Sequence, residues 1–372
     1  MGKFGRRSGR AGRNAPCWCG SGLKYKYCHL NRNSEEPLPP GQLLAETRQY
    51  FTRKKMCLHP DAPALCGKIV QAHTLQRSGI IRSVAASDNH VLSFHPLQLG
   101  TDDSPEIHRV GSRQASTFLG FCEHHDGILF AEIEQQPFIG SRRQVLLIGY
   151  RALCHELYQK LAATDAEPML RDHLDRGAPP AHQALIQDML NAMSAGRRLG
   201  LAELFSLKRF YDGALDGNDP GLMHHVILWF RGAPCLASTG AVHVDFDLNG
   251  VRLQNLGTAP SPAHSLTFGV VSTTDGCAVA AIWPATFHCC DRFIDSLMGQ
   301  KEADVPSVLA EFFFAYVENT YFSEAWWIGL PEPSKKRLAE LAAVVIQYGS
   351  PFYYSGLKHM ELDLIQTNLE TN

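Results

Sequence analysis

The local fold of the N-terminal region is decided by the stretch Asn14-Ala-Pro-Cys-Trp-Cys-Gly-Ser-Gly-Leu-Lys-Tyr-Lys-Tyr-Cys-His29. It places three cysteines and one histidine within thirteen residues, namely Cys17, Cys19, Cys28 and His29. Three thiolates and an imidazole complete the tetrahedral ligand set of a structural zinc site, with no position left for water or substrate. A segment this short buries too little apolar surface to fold alone, so we expect metal binding to supply most of its folding energy.

This stretch resembles the SEC-C motif, a small zinc knuckle found at the C-terminus of the SecA translocase and in many unrelated bacterial proteins. The matching positions are Asn14, Pro16, the Cys-x-Cys pair, Gly20-Ser21-Gly22, Lys24, Tyr25 and Cys28-His29. The resemblance covers under a tenth of the chain. It implies a metal site and suggests docking, and it identifies no activity.

The knuckle lies in a basic N-terminal arm. Residues 1–32 contain no Asp or Glu and carry Lys3, Arg6, Arg7, Arg10, Arg13, Lys24, Lys26 and Arg32. Because the whole chain has a formal net charge of only -2, this is a local asymmetry, typical of segments that contact phosphates or acidic protein surfaces. Trp18, Tyr25 and Tyr27 are interleaved with the charge and could stack on bases or on a partner peptide. Protein and nucleic-acid partners both remain open.

Length and composition indicate the broad class of protein. A chain of 372 residues predicts two or three domains. The charged, Gly-rich N-terminus predicts no signal peptide, and no apolar run approaches the roughly 20 residues of a membrane span. We therefore expect a reduced, cytoplasmic bacterial protein without membrane insertion, whose eleven cysteines bind metal or fill the core. The cysteines assigned to the core are Cys154, Cys235, Cys277, Cys289 and Cys290.

A second group of metal-ligand residues is split along the chain. Cys57 and Cys66 lie in a Pro-containing loop, and Cys122 and His125 form a Cys-x-x-His pair much later. Two Cys joined to a downstream Cys-x-x-His pair predict a zinc site of treble-clef or zinc-ribbon type. His59 is an alternative ligand, and His124 could replace His125. Unrelated core cysteines beside surface histidines are the competing interpretation, because the first spacing is wider than usual.

The second group resembles the HNH, or ββα-metal, endonuclease scaffold, in which a Cys pair precedes a strand that ends in Ala-His. The resemblance implies His73 as general base, Thr117 at the asparagine position, and Asp126 and Phe130 at the two metal-binding histidine positions. An aspartate can hold Mg²⁺, whereas Phe130 has no donor atom. The missing ligand favours a degenerate, zinc-stabilised binding scaffold. In the nuclease alternative, His73 activates water and Asp126 holds Mg²⁺, with a replacement ligand from Glu132 or Glu134.

The remainder of the chain predicts helices followed by a small sheet. Apolar spacing predicts a helix over residues 144–163, and Pro180 suits the first turn of a long helix that could restart near Gly200. The stretch 181–208 could also form a helical hairpin arm that reaches a partner chain. Short β-rich runs then appear from residue 226 to residue 283, followed by helices. Val242–Leu248 alternates and ends at an Asn249-Gly250 turn, so it predicts a strand with His243, Asp245 and Asp247 on a solvated face.

These features predict an α+β multidomain protein. Its parts are a SEC-C zinc knuckle with a basic arm (1–32), a linker (33–45), an HNH-like treble-clef zinc module (46–140), a helical region (141–218) and an α+β C-terminal domain with a small antiparallel sheet packed against helices (219–372). The leading hypothesis is a zinc-binding protein-interaction or nucleic-acid-binding protein with two structural Zn²⁺ ions, in a possible defence context. The alternatives are the HNH-type nuclease, and a Sec- or ribosome-associated factor that docks a chaperone through the knuckle.

Overall fold

The computed structural model describes residues 12–99, 105–217, 222–256, 262–343 and 349–371. Contacts between Cα atoms divide the chain into two compact units. Unit 1 comprises Met1–Lys54 and Gln159–Gly200, and unit 2 comprises Lys55–Tyr158 and Leu201–Asn372. Four residues of the predicted basic arm, Lys3, Arg6, Arg7 and Arg10, lie outside the described residues.

The described residues form runs of helices and runs of strands. The helices are α1 Pro40–Arg53, α2 Arg82–Val84, α3 Glu123–Leu129, α4 Ala131–Gln135, α5 Arg142–His173, α6 Pro180–Leu215, α7 His288–Met298, α8 Val305–Tyr316, α9 Glu324–Gly329 and α10 Glu332–Ala343. The strands are β1 Ile69–His73, β2 His90–Leu99, β3 Pro105–Gly111, β4 Thr117–Cys122, β5 Met223–Arg231, β6 Leu236–His243, β7 Ser265–Ser272, β8 Gly276–Pro284, β9 Thr320–Phe322 and β10 Asp363–Glu370. This content confirms the prediction of a mixed helix and sheet protein.

Unit 1 contains α1 and the facing parts of α5 and α6. Pro180 begins α6 as predicted, because a proline in the first turn costs no helical hydrogen bond. Gly200 does not interrupt α6; its Cα faces the side chain of Lys160 on α5. Arg197 on α6 also pairs with Glu167 on α5 at 2.9 Å, so the two helices run antiparallel. Among the described residues, no helix has the length and apolarity that crossing a membrane requires.

Unit 2 contains two antiparallel sheets. The smaller pairs β1 with β4, and α3 follows β4 directly. The larger has eight strands in the order β10-β5-β8-β7-β6-β9-β2-β3. This sheet is wider than the predicted small sheet, because β9 pairs with both β6 and β2 and thereby adds β2 and β3 to it. The pairs Leu92↔Phe322 and Leu236↔Phe322 make this connection.

Helix α8 forms the centre of the core of unit 2. Every residue from Val305 to Ala315 is buried, and Phe313 stacks on Phe268 of β7 with ring centroids 4.9 Å apart. The helix also buries the carboxylate of Glu311 completely. Arg337 pairs with that carboxylate at 3.0 Å, and His359 Nε2 donates a hydrogen bond to it at 2.8 Å. A buried charge with two partners satisfies the requirement that ionised groups inside a protein be paired.

The predicted strand Val242–Leu248 ends early, because β6 stops at His243. Asp245 and Asp247 are buried and do not form the solvated face predicted for them. Asp247 Oδ1 accepts hydrogen bonds from the backbone N–H groups of Asn249 and Val251 at 2.9 and 2.7 Å. Local bonding of an aspartate to its own backbone competes with strand pairing and produces a turn.

Candidate metal centres

The first cluster, centre 1, is formed by the N-terminal knuckle of unit 1. A short bridge pairs Pro16 with Lys24 and closes the loop that carries Cys17 and Cys19. Gly20 and Gly22 within this loop have φ values of 80° and 77°, which side-chain-bearing residues rarely adopt. The chain then forms one 3₁₀ turn over Tyr25–Tyr27 and delivers Cys28 and His29 to the same point. The glycines therefore permit the tight reversal that brings both halves of the motif together.

The four side chains of centre 1 have the separations of a common ligand shell. His29 Nδ1 lies 3.2 Å from Cys17 Sγ and 3.0 Å from Cys28 Sγ, and Cys19 Sγ lies 3.5 Å from Cys28 Sγ. All four ligand atoms lie within 4.8 Å of one another. Tetrahedral zinc with Zn–S bonds of about 2.3 Å and Zn–N bonds of about 2.0 Å requires edges of about 3.5 to 3.8 Å. The cluster needs little adjustment to accept such an ion.

His29 is oriented by a carboxylate from a distant part of unit 1. Because its Nδ1 faces the thiols, Nε2 carries the proton and donates to Asp175 Oδ2 at 2.8 Å. Asp175 lies in the connection between α5 and α6 and is completely buried. A carboxylate behind a histidine ligand fixes the tautomer and the ring orientation, and strengthens metal binding. The motif is thus supported by a residue that its own sequence does not contain.

Two further donors hold Asp175 in place. Arg32 Nε donates to Asp175 Oδ1 at 2.7 Å, and Gln187 Nε2 donates to Oδ2 at 2.8 Å. Burial opposes the charged form of this carboxylate, but the bonds from His29, Gln187 and Arg32 outweigh it and lower the pKa of Asp175 to about 2. Sequence reasoning missed Asp175 and Gln187 and treated Arg32 only as part of the basic arm. No local signal marks them, since 146 positions separate His29 from Asp175.

The thiols of centre 1 differ in acidity. Burial raises the pKa of the Cys17 thiol to about 12. Burial also opposes ionisation of Cys19, but hydrogen bonds to His29 and Ser21 outweigh it and lower the pKa of Cys19 to about 6. Metal binding requires deprotonated thiols. Cys19 is therefore the more acidic thiol of this pair.

The second cluster, centre 2, is formed in unit 2 where the small sheet meets α3. The segment around Cys57 runs beside β4, since Met56 and Leu58 donate backbone hydrogen bonds to Leu119 and Gly120. Cys122 ends β4 and caps α3, and its Sγ accepts from the backbone N–H of His125 at 3.4 Å. This cap turns the Cys-x-x-His pair toward the loop of Cys57 and Cys66.

Centre 2 brings together all four predicted ligands. His125 Nδ1 lies 3.4 Å from Cys57 Sγ, 3.5 Å from Cys66 Sγ and 3.3 Å from Cys122 Sγ. The alternative ligands lie outside the cluster: the His59 ring stacks on His125 with centroids 4.0 Å apart, and His124 meets His125 edge-on. Burial opposes ionisation of Cys122, but backbone N–H groups of His125 and Gly67 lower the pKa of its thiol.

The residues at the nuclease-like positions do not form a metal cluster. His73 ends β1 opposite Thr117 on β4, and Asp126 lies in α3. Burial lowers the pKa of His73 and raises the pKa of Asp126. Within the described part of the chain, two groups of three or more His, Cys, Asp or Glu side chains could hold a metal, and these residues belong to neither.

The neighbourhood of Phe130 is occupied by protein side chains. Phe130 is completely buried, and the guanidinium of Arg151 lies 4.1 Å from its ring centroid. Arg151 pairs with Glu134 at 2.5 Å, and Glu132 pairs with Arg143 at 3.3 Å. Both candidate replacement ligands are thus engaged with arginines, as expected of carboxylates that stabilise the fold.

Comparison with protein families matches residues 13–31 to the family described as SEC-C motif. The match contains all four residues of centre 1. Comparison with curated proteins and with solved structures gives no significant match. The resemblance of the second module to HNH endonucleases has no support from a family match. The chain therefore carries a SEC-C motif and two Cys/His clusters that could hold metal ions.

Proposed function

We propose that this chain is a zinc-binding docking protein whose unit 1, ordered by its metal, binds an acidic segment of a partner protein. The bond from His29 to the buried Asp175 supports this most directly, because it links metal binding to the folded helices of the unit. The metal would then fix a surface composed of both the knuckle and the α5–α6 pair. A metal that only ordered an otherwise unattached N-terminal segment would not need the hydrogen bond from His29 to Asp175.

A groove beside centre 1 supports docking. Its volume is about 490 Å³. The knuckle contributes Leu23 and Tyr27 to its wall, and the helices contribute Thr164 and Pro168. The charged lining residues are Arg32, Arg171, Arg197, Arg198, Glu167 and Asp172. Four guanidinium groups against two carboxylates leave a positive excess, which complements a peptide segment that carries acidic and apolar side chains.

Arg198 is the member of this set best placed to bind such a segment. Arg171 and Arg197 both pair with Glu167, and Arg32 pairs with Asp172 and Asp175. Arg198 instead donates to the hydroxyl of Ser194 at 2.6 Å, which leaves its charge uncompensated by that bond. An acidic side chain of the partner could therefore pair with it.

Zinc is the proposed ion in both centres. Each has three cysteines and one histidine, the soft, closed ligand set of structural zinc. The thiols must remain reduced to bind it, which supports a cytoplasmic location. The second centre would then stabilise a scaffold in unit 2. Nuclease chemistry is not favoured, because Asp126 lacks a second metal ligand. A chaperone partner or a role in defence would each be a special case of the docking proposed, and we assign neither.

Peptide selection tests the docking proposal. Phage-displayed peptides would be selected on the zinc-loaded full chain, and the enriched peptides measured by fluorescence anisotropy. We expect acidic sequences, and we expect Arg198→Glu to weaken their binding at least about tenfold, as loss of a charge pair does. The matched control is Arg209→Glu, since Arg209 is exposed on the same helix and also bonds a serine, Ser206.

Three results would contradict the proposal. The first is enrichment of peptides without acidic residues, and the second is equal peptide binding by the Arg198→Glu and Arg209→Glu variants. The third is tight binding of labelled single-stranded DNA with a steep salt dependence and no peptide enrichment, which would assign the basic arm to nucleic acid.

A further inference from the structure

Within unit 1, the first half of α6 exposes apolar side chains and buries several polar ones. Gln183, Gln187 and Ser194 are buried beside Leu190, although they are polar. The opposite side carries an exposed outer stripe, defined by Leu185, Met189, Ala192, Met193, Gly196 and Leu199. A surface helix normally buries its apolar face and exposes its polar face. The outer stripe departs from this pattern.

The exposed fractions are large for apolar side chains. Leu185 is 68% exposed, and Met189 and Met193 are 48% and 49% exposed. A side chain added at Gly196 would meet no atom within 4 Å, so the surface is open at this point as well. Contiguous exposed apolar surface on a soluble protein typically marks an interaction site.

We propose that α6 pairs through the outer stripe with α6 of a second copy of this chain. The helices would run antiparallel about a two-fold axis near Ala192. This proposal concerns the outer stripe and does not depend on the docking groove.

The spacing of the outer stripe fits such a pairing. Leu185, Met189, Ala192, Gly196 and Leu199 follow one another at intervals of four and three residues, the spacing of a helix-pairing seam. The pattern is also nearly symmetric about Ala192, with a leucine seven positions away on either side. A two-fold axis there places Leu185 of one copy opposite Leu199 of the other. The small side chain of Ala192 at the centre allows the helix axes to approach closely.

Charge also favours a second copy. In a two-fold interface the same patch meets itself, so a charged residue near the axis would face its own like charge. The outer stripe contains no charged side chain over about four turns of helix. The nearest charged residues, Asp188, Arg197 and Arg198, flank it. An uncharged surface that meets itself incurs no such repulsion.

The size of the surface sets the expected affinity. Two helices in contact over about four turns bury on the order of 1,000 Å² in total, near the lower bound for a specific interface. Interfaces of this size are typically weak, so we expect a reversible dimer that dissociates on dilution. The protein would be a monomer when dilute and a dimer when concentrated.

Sedimentation velocity over a concentration series tests this. We expect a monomer–dimer equilibrium in the zinc-loaded full chain, and loss of the dimer in a Met189→Glu, Met193→Glu double variant. The matched control is Asn191→Glu, which adds a charge at an exposed position on the same helix but off the outer stripe. Zinc content and thermal unfolding would verify that each variant is folded.

A crosslink provides a second test that does not require the charged variant to fold. Cysteine at Ala192 would lie at the two-fold axis, so Ala192→Cys should form a disulfide-linked dimer on mild oxidation, whereas Asn191→Cys should not. A wild-type chain that stays monomeric up to about 1 mM overturns the proposal. So does a dimer that survives the double substitution, or equal crosslinking at both positions.

Discussion

The substitution Asp175→Asn separates the electrostatic role of this carboxylate from its shape. Asparagine keeps the size and one acceptor oxygen but removes the charge that His29 Nε2 and Arg32 Nε contact at 2.8 and 2.7 Å. Removing the carboxylate behind a histidine ligand typically lowers metal affinity 10- to 100-fold. We therefore expect centre 1 to bind zinc more weakly by about 1.4 to 2.7 kcal/mol.

The same change affects the fold of unit 1. Arg32 is buried, and its Nε would lose a charged partner, although Asp172 remains at 3.2 Å. Removing one member of a buried pair costs about 3 to 5 kcal/mol when nothing compensates. Because Arg32 retains Asp172, we expect a loss near the lower end, at least about 3 kcal/mol, in the stability of the zinc-loaded unit.

Zinc competition against a chromophoric chelator measures the first effect, and denaturant unfolding in a fixed excess of zinc measures the second. The matched control is Asp188→Asn, an exposed aspartate on α6, for which we expect both quantities to stay unchanged. If Asp175→Asn leaves zinc affinity at the wild-type value, the carboxylate does not support His29, and the link between metal and helices is wrong.

Three further predictions follow from the fold. We expect no Mg²⁺- or Mn²⁺-dependent cleavage of single- or double-stranded DNA, and we expect His73→Ala to lower the melting temperature. Cleavage in a nicking assay that is abolished by His73→Ala and also by Asp126→Ala would overturn this. Replacing Cys19 by serine should release one zinc ion and loosen the knuckle, whereas replacing Cys122 should reduce the soluble yield of the full chain. Burial opposes the charge of Glu311, but bonds from His359, Ser355 and Arg337 outweigh it and lower the pKa of Glu311. The contribution of this carboxylate to stability is therefore complete above the usual glutamate pKa of about 4.3 and is lost as the pH falls below that value. The stability difference between the wild type and Glu311→Gln should shrink over that range, and a constant difference would refute this.

The local parts of both centres could be predicted from the sequence, because ligand spacing is itself a local property. All four ligands of centre 1 lie within one short segment, from Cys17 to His29, and the Cys-x-x-His pair that begins at Cys122 falls at the start of a helix. The support of His29 could not be predicted, since Asp175 meets it only after α5 and α6 have folded into an antiparallel pair. Such contacts depend on tertiary packing, which the spacing of residues in a single sequence does not indicate.

The sheet of unit 2 illustrates the same limit. The runs that form β5, β7 and β8 alternate or are continuously apolar, and they were predictable as strands. That β2 joins the same sheet depends on the three residues of β9, too short a strand to give a pattern. The strand predicted through Asp247 failed because the aspartate bonds its own backbone and turns the chain, which period-two alternation does not reveal.

The proposed function requires that the two closed Cys₃His centres each hold a structural zinc ion. Elemental analysis of the purified full chain, by mass spectrometry calibrated against protein concentration, measures this. The expected result is two zinc ions per chain, falling to one when either Cys19 or Cys122 is replaced. One zinc in the wild-type chain would remove one of the two centres, and a chain that is purified without bound zinc would contradict the proposal.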